Sequence, residues 1–153
     1  MGTSVPLSKK RSKKVWYNKK VIYYCNFMAK KSSVYVDGFV LAVPKKKVEA
    51  YIEMATKCAP IFLKHGALDV RECMADDVKK GKVTSFPQSV LLKKNEVVFF
   101  SWITYKSRAH RDQVNKKIMK DPEMEAMMEG KEVPFDMQRM IYGGFTAVVS
   151  ASK

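Results

Sequence analysis

The strongest strand signal in the chain is Glu96–Tyr105, which reads EVVFFSWITY. β-Branched and aromatic side chains fill it, and no Gly or Pro interrupts it. Val97, Phe99, Ile103 and Tyr105 fall on one alternation set, and Val98, Phe100 and Trp102 on the other. A strand with one wet face alternates apolar with polar residues, so this pattern predicts cover on both sides. Val34–Val43 (VYVDGFVLAV) predicts a first strand of the same kind, with Asp37 and Gly38 in its middle. Ala67–Ala75 predicts a weaker, more polar strand suited to a sheet edge. Met140–Val149, broken by Gly143 and Gly144, predicts the last strand.

Between the strands the spacing changes. Val48, Tyr51, Ile52, Ala55, Cys58, Ala59, Phe62 and Leu63 recur every three or four residues, as on one face of a helix. Pro44 suits its first turn, Pro60 predicts a kink or an early stop, and Lys64-His65-Gly66 suits its end. Ser107 is the expected N-cap of a second helix over Arg108–Lys120. A short helix is expected from Asp121, with Pro122 in its first turn, to Gly130, and its Met124, Met127 and Met128 form an adaptable apolar patch. Asp76–Pro87 and Val133–Asp136 read as loops, and Gln88–Leu92 as a short strand or the lead into the next one.

The order strand, helix, strand, strand, helix, strand predicts an α+β, ferredoxin-like βαββαβ fold. In it, a four-stranded antiparallel sheet carries two main helices on one face. The other face stays apolar, which predicts a homodimer packed sheet on sheet, with an interface on the order of 2,000 Å² or more.

Composition refines this picture. At 153 residues and 46% apolar the chain has enough material for one cored domain. The net charge is +14, but residues 1–32 hold nine Lys/Arg and no acid, leaving +5 for residues 33–153. The leader is expected to be disordered or foreign to the natural product, with Met28 as an alternative start, and the domain to be 33–153. An exported leader and a nucleic-acid-binding arm are the weaker readings, and nucleic-acid binding by the domain is the least favoured function. Three widely spaced cysteines make no CxxC pair and no disulfide framework, which fits a reducing cytoplasm. No apolar run approaches the ~20 residues of a membrane helix.

Candidate chemistry is sparse. Asp37, a carboxylate inside an apolar strand, needs a partner, and Arg139 at the start of the last strand is the expected one, as a structural ion pair or as a pocket pair. His65 reads as a helix-end cation or as an acid/base group, and His110 as a solvated residue. Trp102 reads as core or as a flat wall for a planar ligand. Tyr105 and Tyr142 are further ligand-binding candidates, and Asp37, His65 and Arg139 the catalytic ones. No HExxH, GxSxG, P-loop or GxGxxG motif is present, so no metal and no cofactor is expected.

The runs YVDGFVLAVP (35–44), HGALDVREC (65–73), ADDV (75–78), TSFP (84–87), FSWITYKSRAHRD (100–112), MKDPEMEAMM (119–128), PFD (134–136) and RMIYGGF (139–145) resemble the YbaA-like family of bacterial proteins of unknown function. The resemblance covers Val34 to about Val149. It implies a dimeric α/β barrel, a homodimer whose sheets face each other. The wider superfamily includes cofactor-independent monooxygenases, isomerases, haem-handling enzymes and small-molecule sensors, with ligands between the sheet and its own helices. It therefore implies a small-molecule cleft, as a cofactor-independent oxygenase or isomerase or as a metabolite-sensing or protein-interaction module.

Overall fold

The computed structural model describes residues 34–130 and 132–151. The expectations for the basic leader lie outside them.

Strand β1 (Tyr35–Pro44) is one of two central strands. β2 (Asp69–Met74), β3 (Glu96–Tyr105) and β4 (Ile141–Thr146) complete an antiparallel sheet in the order β2-β3-β1-β4. β1 and β3 pair along their full length, from Tyr35 opposite Tyr105 to Pro44 opposite Glu96. β4 pairs only with Tyr35–Val40. Helix α1 (Val48–His65), the short α2 (Phe86–Ser89), α3 (Arg108–Ile118) and α4 (Pro122–Met128) fill the connections. This is the ferredoxin-like arrangement.

The register decides which residues meet the helices. Tyr35, Leu41 and Val43 of β1 share a face with Phe99, Ile103 and Tyr105 of β3. Tyr35, Ile103 and Tyr105 pack with Val114 and Ile118 of α3, while Leu41, Val43 and Phe99 pack with Tyr51 of α1. Burying each such side chain is worth about 1.5–3 kcal/mol, so these two clusters hold the helices down.

Three local expectations change. Pro44 does not start the helix: it ends β1, and Lys45–Lys47 make a 3-10 turn before Val48. Asn95 O accepts from Lys45 N at 2.8 Å, tying that turn to the chain before β3. Pro60 does not stop α1, which runs unbroken to His65, because Ile61 is buried beyond it. Gly66 closes the helix at φ 113, with Gly66 N donating to Leu63 O and Ala67 N to Phe62 O. This double cap satisfies the last carbonyls and requires the left-handed conformation that glycine adopts freely. Gln88–Leu92 holds no strand: Ser85 caps α2 by accepting from Gln88 N.

The far face of the sheet is not bare throughout. Val90 folds onto Ala42 and Val98, and Ala75 and Leu92 pack beside them. The 75–92 connection thus covers one end of that face. Beyond it Ile141 and Phe145 stay 43% and 62% exposed, and Phe100, whose ring lies 5.7 Å from that of Phe86 at the border of this cover, 40%.

Candidate functional site

The six residues singled out by sequence do not converge. Trp102 lies on the far face, its ring 5.5 Å from that of Phe100. Tyr142 shares the helix face but is exposed at the β4 edge, stacked 6.4 Å from Phe39. His65 ends α1, where its Nε2 lies 2.6 Å from Asp121 Oδ2. Lys64 Nζ donates to the same oxygen at 3.1 Å and to Glu123 Oε1 at 2.9 Å. Asp121 is buried and also caps α4 by accepting from Glu123 N. The bond to His65, helped by Lys64, holds the Asp121 carboxyl down at about 2. This cluster joins the end of α1 to the start of α4.

Arg139 is not the partner of Asp37. Its Nη1 and Nη2 donate to Glu96 Oε2 and Oε1 at 2.8 and 2.6 Å, and its Nε donates to Asp136 Oδ2 at 2.8 Å. Nη1 also reaches the Val90 and Leu91 carbonyls at 3.3 and 3.1 Å. The guanidinium lowers both carboxyl pKa values, that of Glu96 and that of Asp136. The reason for the mismatch is register. Asp37 lies opposite Gly144, and Arg139 precedes β4 at the far end of β1.

Asp37 instead faces α3. Arg111 Nη1 lies 3.5 Å from Asp37 Oδ2, and the guanidinium sits 5.2 Å from the Tyr35 ring centre. Arg111 Nε lies 2.9 Å from Asp112 Oδ1, close enough for an ion pair but too bent for a hydrogen bond. Asp37 is 7% exposed, and its Oδ1 has no hydrogen-bond partner among the described residues. Burial raises its pKa more than Arg111 lowers it. The same burial, with the Asp37 charge nearby, raises the pKa of Tyr105. Tyr35 packs so closely over β4 that a Cβ on Gly144 would meet its hydroxyl at 2.1 Å, so a side chain there would have to displace the Tyr35 ring. This cluster is packed shut.

An open cleft lies elsewhere on the helix face, between α1 and the β2–β3 half of the sheet. Its volume is about 370 Å³, within the range of small-molecule pockets. Ile52, Ala55 and Thr56 of α1 line one wall, and Val70, Met74 and Phe99 of the sheet the other. At its centre the Tyr51 hydroxyl donates to Glu72 Oε2 at 2.7 Å. Ser101, 4% exposed, stands directly across from Glu72 in the register, and its hydroxyl acts to lower the pKa of both groups against the effect of burial. Although Glu72 sits on the edge strand with much of its surface in solvent, its carboxyl turns into this cleft, and burial raises its pKa. Burial, followed by the Glu72 contact, raises that of Tyr51 strongly. Cys58 on the same helix is raised as well, by burial and by the Glu72 charge. A desolvated acid beside a hydroxyl in an apolar hollow can hold or exchange one proton.

Three residues that matter here, Arg111, Tyr51 and Glu72, were not among the sequence candidates. The signal was present. Val70, Glu72 and Met74 share one parity of β2, which sets a carboxylate among apolar neighbours. Arg111 sits three and seven residues before the buried Val114 and Ile118. Among the described residues no group of three or more His, Cys, Asp or Glu is placed to hold a metal ion.

Residues 34–137, which include Asp37, Tyr51, Glu72 and Arg111, match the family model described as Protein of unknown function (DUF1428). The chain belongs to this DUF1428 family. It is similar to the Uncharacterized protein YbaA of Escherichia coli strain K12, with 53% identity over 115 residues that span 75% of this chain and 97% of that one. The same values relate it to the Uncharacterized protein YbaA of Shigella flexneri. The YbaA-like resemblance of the motifs is therefore confirmed. The de novo designed protein Foldit4 aligns with 74% of the chain and 98% of its own length at 12% identity and a TM-score of 0.37. No helix among the described residues is long and apolar enough to cross a membrane.

Proposed function

We propose that this DUF1428 member works as a homodimer that takes a small molecule into the cleft between α1 and the β2–β3 half of the sheet. The observation that carries the reading is the Glu72–Tyr51 hydrogen bond inside an open, otherwise apolar hollow of about 370 Å³. Nothing in the packing of the fold requires a carboxylate there, and burial works against its charge. The oxygenase or isomerase chemistry implied by the superfamily needs a cation or hydroxyl free to steady developing negative charge. The Tyr51 hydroxyl is committed to Glu72, so the reading adopted is binding.

Self-association is supported by Phe100, Ile141 and Phe145, which are exposed together on the far face. A second copy would cover Ile141 and Phe145 where the 75–92 connection leaves the face open, and the outer side of Phe100 at its border. Two measurements test the two halves of the reading. Thermal-shift screening against small apolar metabolites should give hits that vanish in Ala55→Phe, which fills the cleft; hits that survive the filling would place the ligand elsewhere. Phe145→Asp should halve the mass seen by light scattering while the far-ultraviolet dichroism stays unchanged; an unaltered mass would refute the sheet-on-sheet dimer.

A further inference from the structure

The cleft under α1 carries one formal charge. Its lining contains Glu72 and no Lys, Arg or His among the described residues. The partners of the Glu72 carboxyl are neutral: the Tyr51 hydroxyl at 2.7 Å and the Ser101 hydroxyl opposite. Two neutral hydroxyls orient a carboxylate but leave its charge uncompensated. The titratable groups facing it from α1 are Tyr51 and Cys58, and neither supplies a cation. On β2 itself Arg71 points to the other face, where its Nε contacts Asp69 Oδ1 at 3.0 Å.

The hollow therefore presents a carboxylate walled by Ile52, Ala55, Val70, Met74 and Phe99. An anion would meet only repulsion, and a ligand with nothing to donate would leave the carboxylate unmatched.

We infer that the cleft is selective for a small apolar amine, bound as its ammonium ion with the charge on Glu72 and the carbon body against Phe99 and Met74. This rests on the cleft reading above and narrows it to one ligand class. Binding supplies the missing countercharge, so the ammonium form binds best where Glu72 is ionised. Burial lifts the Glu72 carboxyl above its usual value of 4.5. Affinity should therefore fall as pH drops through that raised range, and binding near it should release a proton from Glu72.

The test uses benzylamine, benzyl alcohol and benzoate as matched probes on the full-length protein, followed by nuclear magnetic resonance shifts and calorimetry in two buffers of different ionisation enthalpy. Benzylamine is expected to bind about tenfold or more tightly than benzyl alcohol, with benzoate not binding. Glu72→Gln should remove that preference while melting stays normal, and Ala55→Phe should block every probe. Equal binding of the amine and the alcohol, or an amine preference that survives Glu72→Gln, overturns the amine assignment and leaves the cleft as a small-molecule site. Binding of none of the three probes overturns both the assignment and the cleft reading. Should Glu72→Gln fail to fold, the pH dependence of benzylamine binding to the unaltered protein decides: an affinity that does not change between pH 4 and pH 7 rules Glu72 out as the counterion.

Discussion

Two glutamates of the β2–β3 half of the sheet, Glu72 in the middle of β2 and Glu96 at the start of β3, meet opposite fates. Glu96 is held by both terminal guanidinium nitrogens of Arg139, which keeps its pKa below the usual 4.5. Glu72 has only hydroxyl neighbours, and burial pushes its pKa above that value. The first arrangement stabilises the fold, because the charge is compensated where it is buried. The second costs stability at neutral pH and leaves a charge that wants a partner. Carboxylates that cost stability mark sites more often than those that supply it.

The largest expected effect comes from breaking the first arrangement. Arg139→Ala removes five hydrogen bonds at once and strands Glu96, whose side chain is 7% exposed. It should cost about 3 kcal/mol in urea unfolding while leaving ligand shifts in the cleft intact. A fully stable variant would mean that the clamp is ornamental. Removing Arg111 tests an intermediate case. Arg111→Met leaves the buried Asp37 without its cation and should cost about 2 kcal/mol, with Asp37→Asn added to it restoring part of the loss. No recovery in the double variant would show that Arg111 acts through its packing on Tyr35 and not through charge.

Acid titration sharpens the contrast. Asp121 is paired like Glu96, and its pKa falls from 3.8 to about 2. A depressed carboxyl stabilises the fold above its unfolded value, so this contribution is lost as pH falls from 3.8 towards 2. Stability should drop across that window, and Asp121→Asn should flatten the drop. Glu72 has the reverse sign. Its raised pKa means that the fold favours the protonated form, so the penalty is absent below about pH 4.5 and grows as pH rises through the raised value. Glu72→Gln should then stabilise the protein at pH 8 by less than about 1 kcal/mol, since solvent at the sheet edge screens part of the charge, and should make no difference at pH 4. Destabilisation at pH 8 would show that Glu72 is a structural partner of Tyr51 rather than a waiting site.

The fold was readable because its signals are local or periodic. Glu96–Tyr105 is the β3 strand to the residue, and Ser107 caps α3 by accepting from His110 N at 3.1 Å, as its position before the helix foretold. The misplaced pieces were those where tertiary packing overrides a local rule. Pro60 stays helical because Ile61 is anchored in the core. Residues 86–89 turn helical because Val90 must reach the far face of the sheet. The site was less legible for a related reason. Pairing Asp37 with Arg139 needed the register of β4 against β1, and one sequence does not supply it. Choosing Asp37 over Glu72 followed from the stronger apolar setting of β1, whereas it is the open edge at β2 that lets a carboxylate meet a guest.

The shortness of β4 has an outcome of its own. Its pairing stops at Val40, so Leu41–Pro44 present a strand margin with no β4 neighbour, beside some of the most deeply buried positions in the molecule. Met137–Arg139, fastened to Glu96, stand at that margin. They cover that margin: with the fastening cut, it would offer a template on which another chain could add a strand, so Arg139→Ala should show fibrillar growth on long incubation in addition to its loss of stability.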